Sequence, residues 1–129
     1  MSGWLICLTL LWSPVEPAGH LPAVKVSAAT RIDWTFALAN QSVESPPDDW
    51  LAGYESTAQN YELYVPAGLK AGQPAGLILF ISPGQRSLGL DSFRQICDEQ
   101  KLLFASPHQA GNETPMPKRV RLVLDVLDD

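Results

Sequence analysis

The chain has 129 residues, of which 46% are hydrophobic and 18% are charged, and this composition can build a hydrophobic core. Fourteen acidic residues against nine Lys and Arg residues give a net charge of −5, which argues against a protein that binds nucleic acid through a basic surface. The two cysteines, Cys7 and Cys97, provide neither a disulfide framework nor a ligand-spaced metal cluster, so we expect one domain without metal or cofactor.

The chain opens with an apolar run over residues 4–12 (WLICLTLLW). The run is too short for the ~20 residues of a membrane-spanning helix, but it has the length of the hydrophobic region of a signal peptide. It predicts a signal peptide or apolar leader over residues 1–19, with His20 at its end, and a secreted or periplasmic protein with no stable membrane span. The alternatives are a misassigned start codon and a buried N-terminal segment.

Residues 20–60 are predicted to form a leading strand and a proline-rich surface excursion. Polar and apolar residues alternate over residues 31–38 (RIDWTFAL), which is typical of a strand with one buried face. The excursion covers residues 40–53, where Pro46 and Pro47 cannot continue a strand ladder.

Two further strands are predicted before the first helix. Residues 61–65 (YELYV) are rich in aromatic and β-branched side chains and end at a Pro-Ala-Gly turn. Residues 77–81 (LILFI) are apolar at every position, which indicates a central, parallel strand covered on both faces. Leu79 and Phe80 should then point to opposite faces of the sheet.

The rest of the chain alternates helix and strand. Asp91 is predicted to cap a helix whose apolar face is Phe93, Ile96 and Cys97, with Cys97 as a small core residue. A strand over residues 102–105 and a loop over 106–112 follow. Pro115 and Pro117 fit the first turn of a last helix over residues 117–129. Its predicted apolar side consists of Val120, Val123, Leu124 and Leu127.

The order of elements from residue 77 onward is βαβα, which predicts parallel strands with helices packed on them. The last helix has basic residues in its first turns and Asp125, Asp128 and Asp129 at its close, which opposes the helix macrodipole if the helix ends there. We therefore expect this helix to run on and the sheet to be covered by further chain. A homodimer that covers the sheet is the alternative.

Residues 61–129 resemble the first half of an α/β-hydrolase of the secreted esterase type, which includes polyhydroxybutyrate-depolymerase-like and feruloyl-esterase-like enzymes. The resemblance lies in YELYVPAGLKAGQPAGLILFISPGQ, LDSFRQICDEQ, LLFASPHQAGN and PKRVRLVLDVLDD. It implies a partial α/β-hydrolase fold, with antiparallel leading strands and then parallel βαβα, that ends before the nucleophile strand. It also implies an exported serine hydrolase acting on small or polymeric carboxylic esters, with this chain inactive by itself.

The chain contains no G-x-S-x-G nucleophile motif, so no catalytic residue is assigned. Ser82 comes nearest, but Phe80 stands where the first glycine belongs. The resemblance implies that the loop after the third strand helps to form an oxyanion hole. Because Pro83 has no N–H, the main-chain donors would be Gly84 and Gln85, although Pro83 and Gly84 are equally explained as a simple turn.

His108 stands alone on a loop and is interpreted as a surface or pocket-rim histidine rather than a general base. The alternative function is a non-catalytic binding or structural module, or an inactive gene fragment. A G-x-S-x-G motif within ~10 to 25 residues downstream of residue 129 would distinguish the hydrolase from these alternatives.

Overall fold

The computed structural model describes residues 18–32, 52–70 and 72–129. They form a mixed four-stranded sheet and two α-helices, an α/β arrangement. The elements are β1 (Gly19–Lys25), a 3-10 turn (Ser56–Ala58), β2 (Asn60–Val65), β3 (Leu77–Leu79), α1 (Leu90–Gln100), β4 (Leu103–Pro107) and α2 (Met116–Asp128). The strand order is β1-β2-β4-β3: β2 is antiparallel to both of its neighbours, whereas β3 and β4 are parallel. The apolar run at residues 4–12 and the excursion at residues 40–51 lie outside the described residues.

β2 pairs antiparallel with β1 on one side and with β4 on the other. Residues 33–38 of the strand predicted at residues 31–38 lie outside the described residues. Arg31 and Ile32 are the only described residues of that predicted strand, and neither lies in a strand. β1 escapes prediction because Pro22 interrupts its pattern, and the pairing register shifts between Leu21 and Val24. Proline is tolerated there because β1 is an edge strand with an irregular ladder. His20 therefore belongs to the sheet, not to a leader.

The strand predicted at residues 61–65 is confirmed as β2, and the parallel pairing of the next strand is confirmed through β3 and β4. The central position predicted for β3 is wrong for the described sheet. β3 has three residues and lies at an edge, where Leu77 and Ile81 are each 39% exposed. An apolar run predicts that side chains are buried, but it does not determine how many strands pair with the strand that carries them.

Strand β4 is nevertheless covered on both faces. Phe104 packs in a cluster that contains Leu90 and Cys97 of α1. Its neighbour Ala105 packs in a second cluster, which contains Val126 of α2. Because successive strand residues point to opposite faces, the two helices lie on opposite sides of β4.

The same alternation holds for the third strand and its extension. Leu79 contacts the cluster on the α2 side, and Phe80 contacts the cluster on the α1 side. The prediction that these two side chains point to opposite faces is confirmed.

The first helix is confirmed, but its predicted cap is wrong. Gly89, not Asp91, is the N-cap residue, and Asp91 lies in the first turn. A side chain at position 89 would collide with the Phe80 ring, since a Cβ there would lie 2.3 Å from Phe80 Cδ1. The apolar face is correct for Phe93 and Cys97 and wrong for Ile96, which is 46% exposed. Burial raises the pKa of the Cys97 thiol, which suits a core residue.

The second helix begins at Met116 and has Pro117 in its first turn, as predicted. Its buried side differs from the predicted one, since Leu127 is 48% exposed and Asp125 is buried. The buried residues of α2 are Leu122, Leu124, Asp125 and Val126. None of the helices in the described part of the chain is long and apolar enough to cross a membrane.

Asp125 is buried because two hydrogen-bond donors from other parts of the structure and one cation on its own helix surround its carboxylate. Its carboxylate accepts hydrogen bonds from the Thr30 N–H at 3.0 Å and from the Tyr54 hydroxyl at 2.7 Å. Arg121, one turn earlier on α2, has its Nε 3.4 Å from the same carboxylate. Burial, together with the bond to Asp125, raises the pKa of Tyr54 above its ordinary range.

The last two acidic residues of the chain are also bound. Asp128 accepts hydrogen bonds from the main chain and the guanidinium of Arg31, and the guanidinium lowers the pKa of that carboxyl. Asp129 accepts hydrogen bonds from the Ser27 N–H at 2.8 Å and the Tyr61 hydroxyl at 2.9 Å. These partners offset the unfavourable macrodipole interaction. The charge pattern that suggested a continuing helix thus has a tertiary explanation.

Candidate functional site

A cleft of about 370 Å³ lies where the parallel strands β3 and β4 end. Two connections meet there: the β3–α1 loop (residues 80–89) and the β4–α2 loop (residues 108–115). In α/β sheets, ligands bind outside the carboxyl ends of the strands, so this cleft is the candidate site. Its lining consists of His20, Pro22, Glu62, Arg86, Ser87, Leu88, Leu90, Asp91 and His108.

Glu62 is a buried carboxylate among the residues that line this cleft, with 6% of its surface exposed. Its Oε1 lies 2.7 Å from Nε2 of His20 on β1, and its Oε2 accepts a hydrogen bond from the Ser87 hydroxyl. The sequence analysis did not single out Glu62. The available signal was a single carboxylate inside an aromatic strand, YELYV, whose other side chains suit a core.

His108 lies half-buried at the cleft, which agrees with its interpretation as a pocket-rim residue. Its Nδ1 accepts a hydrogen bond from the Ser87 N–H at 3.3 Å, and its Nε2 donates to the carbonyl oxygen of Pro22 at 2.8 Å. These bonds define the neutral tautomer with the proton on Nε2. Because both ring nitrogens are occupied by main-chain groups, His108 is not arranged to take a proton from a serine hydroxyl.

Ser82, Gly84 and Gln85 lie together at the start of the β3–α1 loop. Ser82 is buried, and its hydroxyl accepts a hydrogen bond from the Gly84 N–H at 3.3 Å. The Gly84 donor is therefore already in use. The Gln85 N–H has no hydrogen-bond partner among the described residues, although the Gln85 carbonyl accepts from the Gln109 N–H at 2.6 Å. Of the two predicted oxyanion donors, Gln85 is the one left free.

The β4–α2 loop packs closely against this segment. The Asn112 N–H donates to the Pro83 carbonyl at 2.9 Å. Gly111 permits the approach, because a Cβ there would lie 2.7 Å from the carbonyl carbon of Gly84. The main chain of the β3–α1 loop is thus held from one side by backbone contacts.

The site does not contain a serine–histidine–acid triad. Glu62 stands between Ser87 and His20, so the serine hydroxyl contacts the acid and not the imidazole. Within residues 18–32, 52–70 and 72–129, no serine hydroxyl donates to a histidine, and no group of three or more His, Cys, Asp or Glu could hold a metal ion. A nucleophile activated by an imidazole is therefore not present in the described part of the chain.

The structure thus defines an α/β protein with a cleft at the carboxyl ends of its parallel strands. Comparisons with protein-family models, with curated proteins and with solved structures found no match for this chain.

Proposed function

We propose that this chain forms the N-terminal half of the core of an exported serine hydrolase that cleaves carboxylic esters. The observation that carries the proposal is the β3–α1 loop: it follows a parallel strand, its residues Arg86, Ser87 and Leu88 line the cleft, and the N–H of the adjacent Gln85 has no hydrogen-bond partner among the described residues. The antiparallel leading strands, the parallel β3–α1–β4 unit and the helices on both faces support the α/β-hydrolase resemblance. The apolar leader supports export.

The role assigned to the loop follows from the chemistry of acyl transfer. Negative charge develops on the carbonyl oxygen of the ester when a nucleophile attacks it, and fixed main-chain N–H groups stabilise that charge. Gln85 can supply one such donor, because its N–H is not used within the described residues. The nucleophilic serine would come from a G-x-S-x-G turn that residues 1–129 do not contain.

A non-catalytic binding or structural module is the second candidate. It is favoured by the order of the Ser87, Glu62 and His20 contacts, in which the acid separates the serine from the imidazole. The engagement of both His108 nitrogens by main-chain groups favours it as well.

The two candidates differ in what the complete reading frame encodes. We expect the 129-residue chain to show no turnover of p-nitrophenyl acetate or butyrate and no labelling by a fluorophosphonate probe, since its sequence contains no G-x-S-x-G motif and no serine of the described residues donates to a histidine. We expect the product of the complete reading frame to show both, with a G-x-S-x-G motif downstream of residue 129. A reading frame without that motif would contradict the hydrolase proposal, and labelling of the short chain that Ser82→Ala abolishes would move the nucleophile to Ser82.

The donor assignment predicts unequal effects of two substitutions at Gln85. In the active full-length protein, Gln85→Pro removes the main-chain N–H and is expected to lower kcat by ~100-fold or more, the usual loss for one oxyanion donor. Gln85→Ala keeps the N–H and should lower kcat far less. Thermal midpoints measured on both variants separate this effect from a misfolded loop. Unchanged turnover in a Gln85→Pro protein with a wild-type midpoint would remove Gln85 from the site.

A further inference from the structure

We propose that Glu62 is a positioning residue that holds the β3–α1 loop in the conformation that leaves the Gln85 N–H free. The effect on catalysis rests on the proposed function. The effect on loop conformation does not, and it can be measured separately.

Ser87, which lies two residues after Gln85, is anchored by two hydrogen bonds. The Ser87 hydroxyl donates to Glu62 on β2, and its N–H donates to Nδ1 of His108 in the β4–α2 loop. Ser87 is only 8% exposed, whereas residues 83–86 between it and Ser82 are all exposed. One buried residue therefore joins an exposed stretch of loop to strand β2 and to the β4–α2 loop.

The burial of Glu62 makes its contact with Ser87 important for stability. A buried carboxylate without hydrogen-bond partners is strongly destabilising, so its two oxygens need donors in the folded state. His20 satisfies Oε1 and Ser87 satisfies Oε2. A loop conformation that withdrew the Ser87 hydroxyl would leave one oxygen of a buried carboxylate unsatisfied, which opposes movement of the loop.

The contact between Ser87 and Glu62 also restricts the main chain that carries the Gln85 N–H. Before Gln85, the Pro83 carbonyl accepts a hydrogen bond from the Asn112 N–H of the β4–α2 loop. After it, the Gln85 carbonyl accepts from the Gln109 N–H, and the chain is bound again through Ser87. The short segment between these anchors has little freedom to rotate, so Glu62 acts on Gln85 through Ser87 without touching it.

Hydrogen–deuterium exchange on the 129-residue chain tests the effect on the loop. Ser87→Ala is expected to increase exchange of the N–H groups of residues 84 and 87, which are hydrogen-bonded in the loop, by about tenfold or more, the equivalent of losing a hydrogen bond to a charged group. Exchange in β4 should not change. Ser92→Ala is the matched control, because Ser92 is exposed on α1 and its hydroxyl makes no hydrogen bond among the described residues. Ser87→Thr, which keeps the hydroxyl, should restore most of the protection.

A double substitution separates positioning by Glu62 from a general loss of packing. Glu62→Gln combined with Ser87→Ala should loosen the loop no more than Ser87→Ala does, because without the Ser87 hydroxyl the side chain at position 62 has lost the contact through which it acts on the loop. Additive effects, or a loop in Ser87→Ala that exchanges like the Ser92→Ala control, would overturn the proposal. Should Glu62→Gln fail to fold, the comparison of Ser87→Ala, Ser87→Thr and Ser92→Ala still decides.

Kinetics on the full-length protein test the effect on catalysis. Ser87→Ala is expected to lower kcat at least tenfold with a nearly unchanged KM, and Ser87→Thr is expected to restore kcat. A change in KM alone would overturn a positioning role toward the oxyanion donor. If the full-length protein cleaves no ester at all, the proposed function fails, while the exchange experiment still decides whether Glu62 holds the loop.

Discussion

Replacing Phe104 with alanine is expected to lower the free energy of unfolding by about 3–5 kcal/mol. The Phe104 side chain is fully buried on β4, and its ring lies 6.2 Å from that of Phe80 and 5.7 Å from that of Phe93 between ring centroids. The substitution would leave a cavity between the sheet and α1 that a strand in the middle of the sheet cannot close by moving. Urea denaturation followed by circular dichroism measures the loss.

Ile96→Ala is the control for this prediction. Ile96 lies on α1 beside Cys97 but is 46% exposed, so its truncation removes little buried surface and should change stability by less than about 1 kcal/mol. Similar losses for the two variants would mean that α1 does not pack on the sheet through the face described above.

Asp125→Ala is expected to destabilise the protein by about 3–5 kcal/mol, the usual cost of removing one partner from a buried ion pair. Asp125 is 1% exposed and the Arg121 side chain is 14% exposed, so the guanidinium would lose its counter-charge where water reaches it poorly. The Thr30 N–H and the Tyr54 hydroxyl would lose their acceptor at the same time. Calorimetry or denaturant titration at neutral pH measures the effect.

Asp128→Ala provides the comparison, three residues further along α2. Asp128 pairs with Arg31, whose side chain is 86% exposed, and a surface pair of this kind adds little to stability. Its removal should leave the unfolding midpoint close to that of the wild type. An Asp125→Ala variant that is as stable as Asp128→Ala would show that the contacts of Asp125 with residues 30 and 54 do not hold α2 in place.

Local sequence patterns predicted those strands and helices in which the type of each residue matches the burial of its own side chain. The aromatic and β-branched run at residues 61–65 identified β2. The apolar run at residues 77–81 identified β3, where Leu79 and Phe80 pack on opposite faces as predicted, although the strand covers only residues 77–79 and Leu77 and Ile81 are exposed. The 3.6-residue period placed both helices, and Pro117 marked the first turn of the second. These patterns can be recognised within a short stretch of sequence, because buried positions of a strand or helix are occupied by apolar residues at a regular spacing.

Only the tertiary structure decided the features that depend on distant partners. β1 has no alternating pattern around Pro22 and exists because β2 offers it a ladder 40 residues later in the chain, and β3 lies at an edge because β4 inserts between it and β2. Glu62 and Asp125 belong to a residue type that is normally exposed, so no periodicity marks them as buried. Each is buried because hydrogen-bond donors from separate elements converge on its carboxylate, and that convergence arises only when the chain has folded.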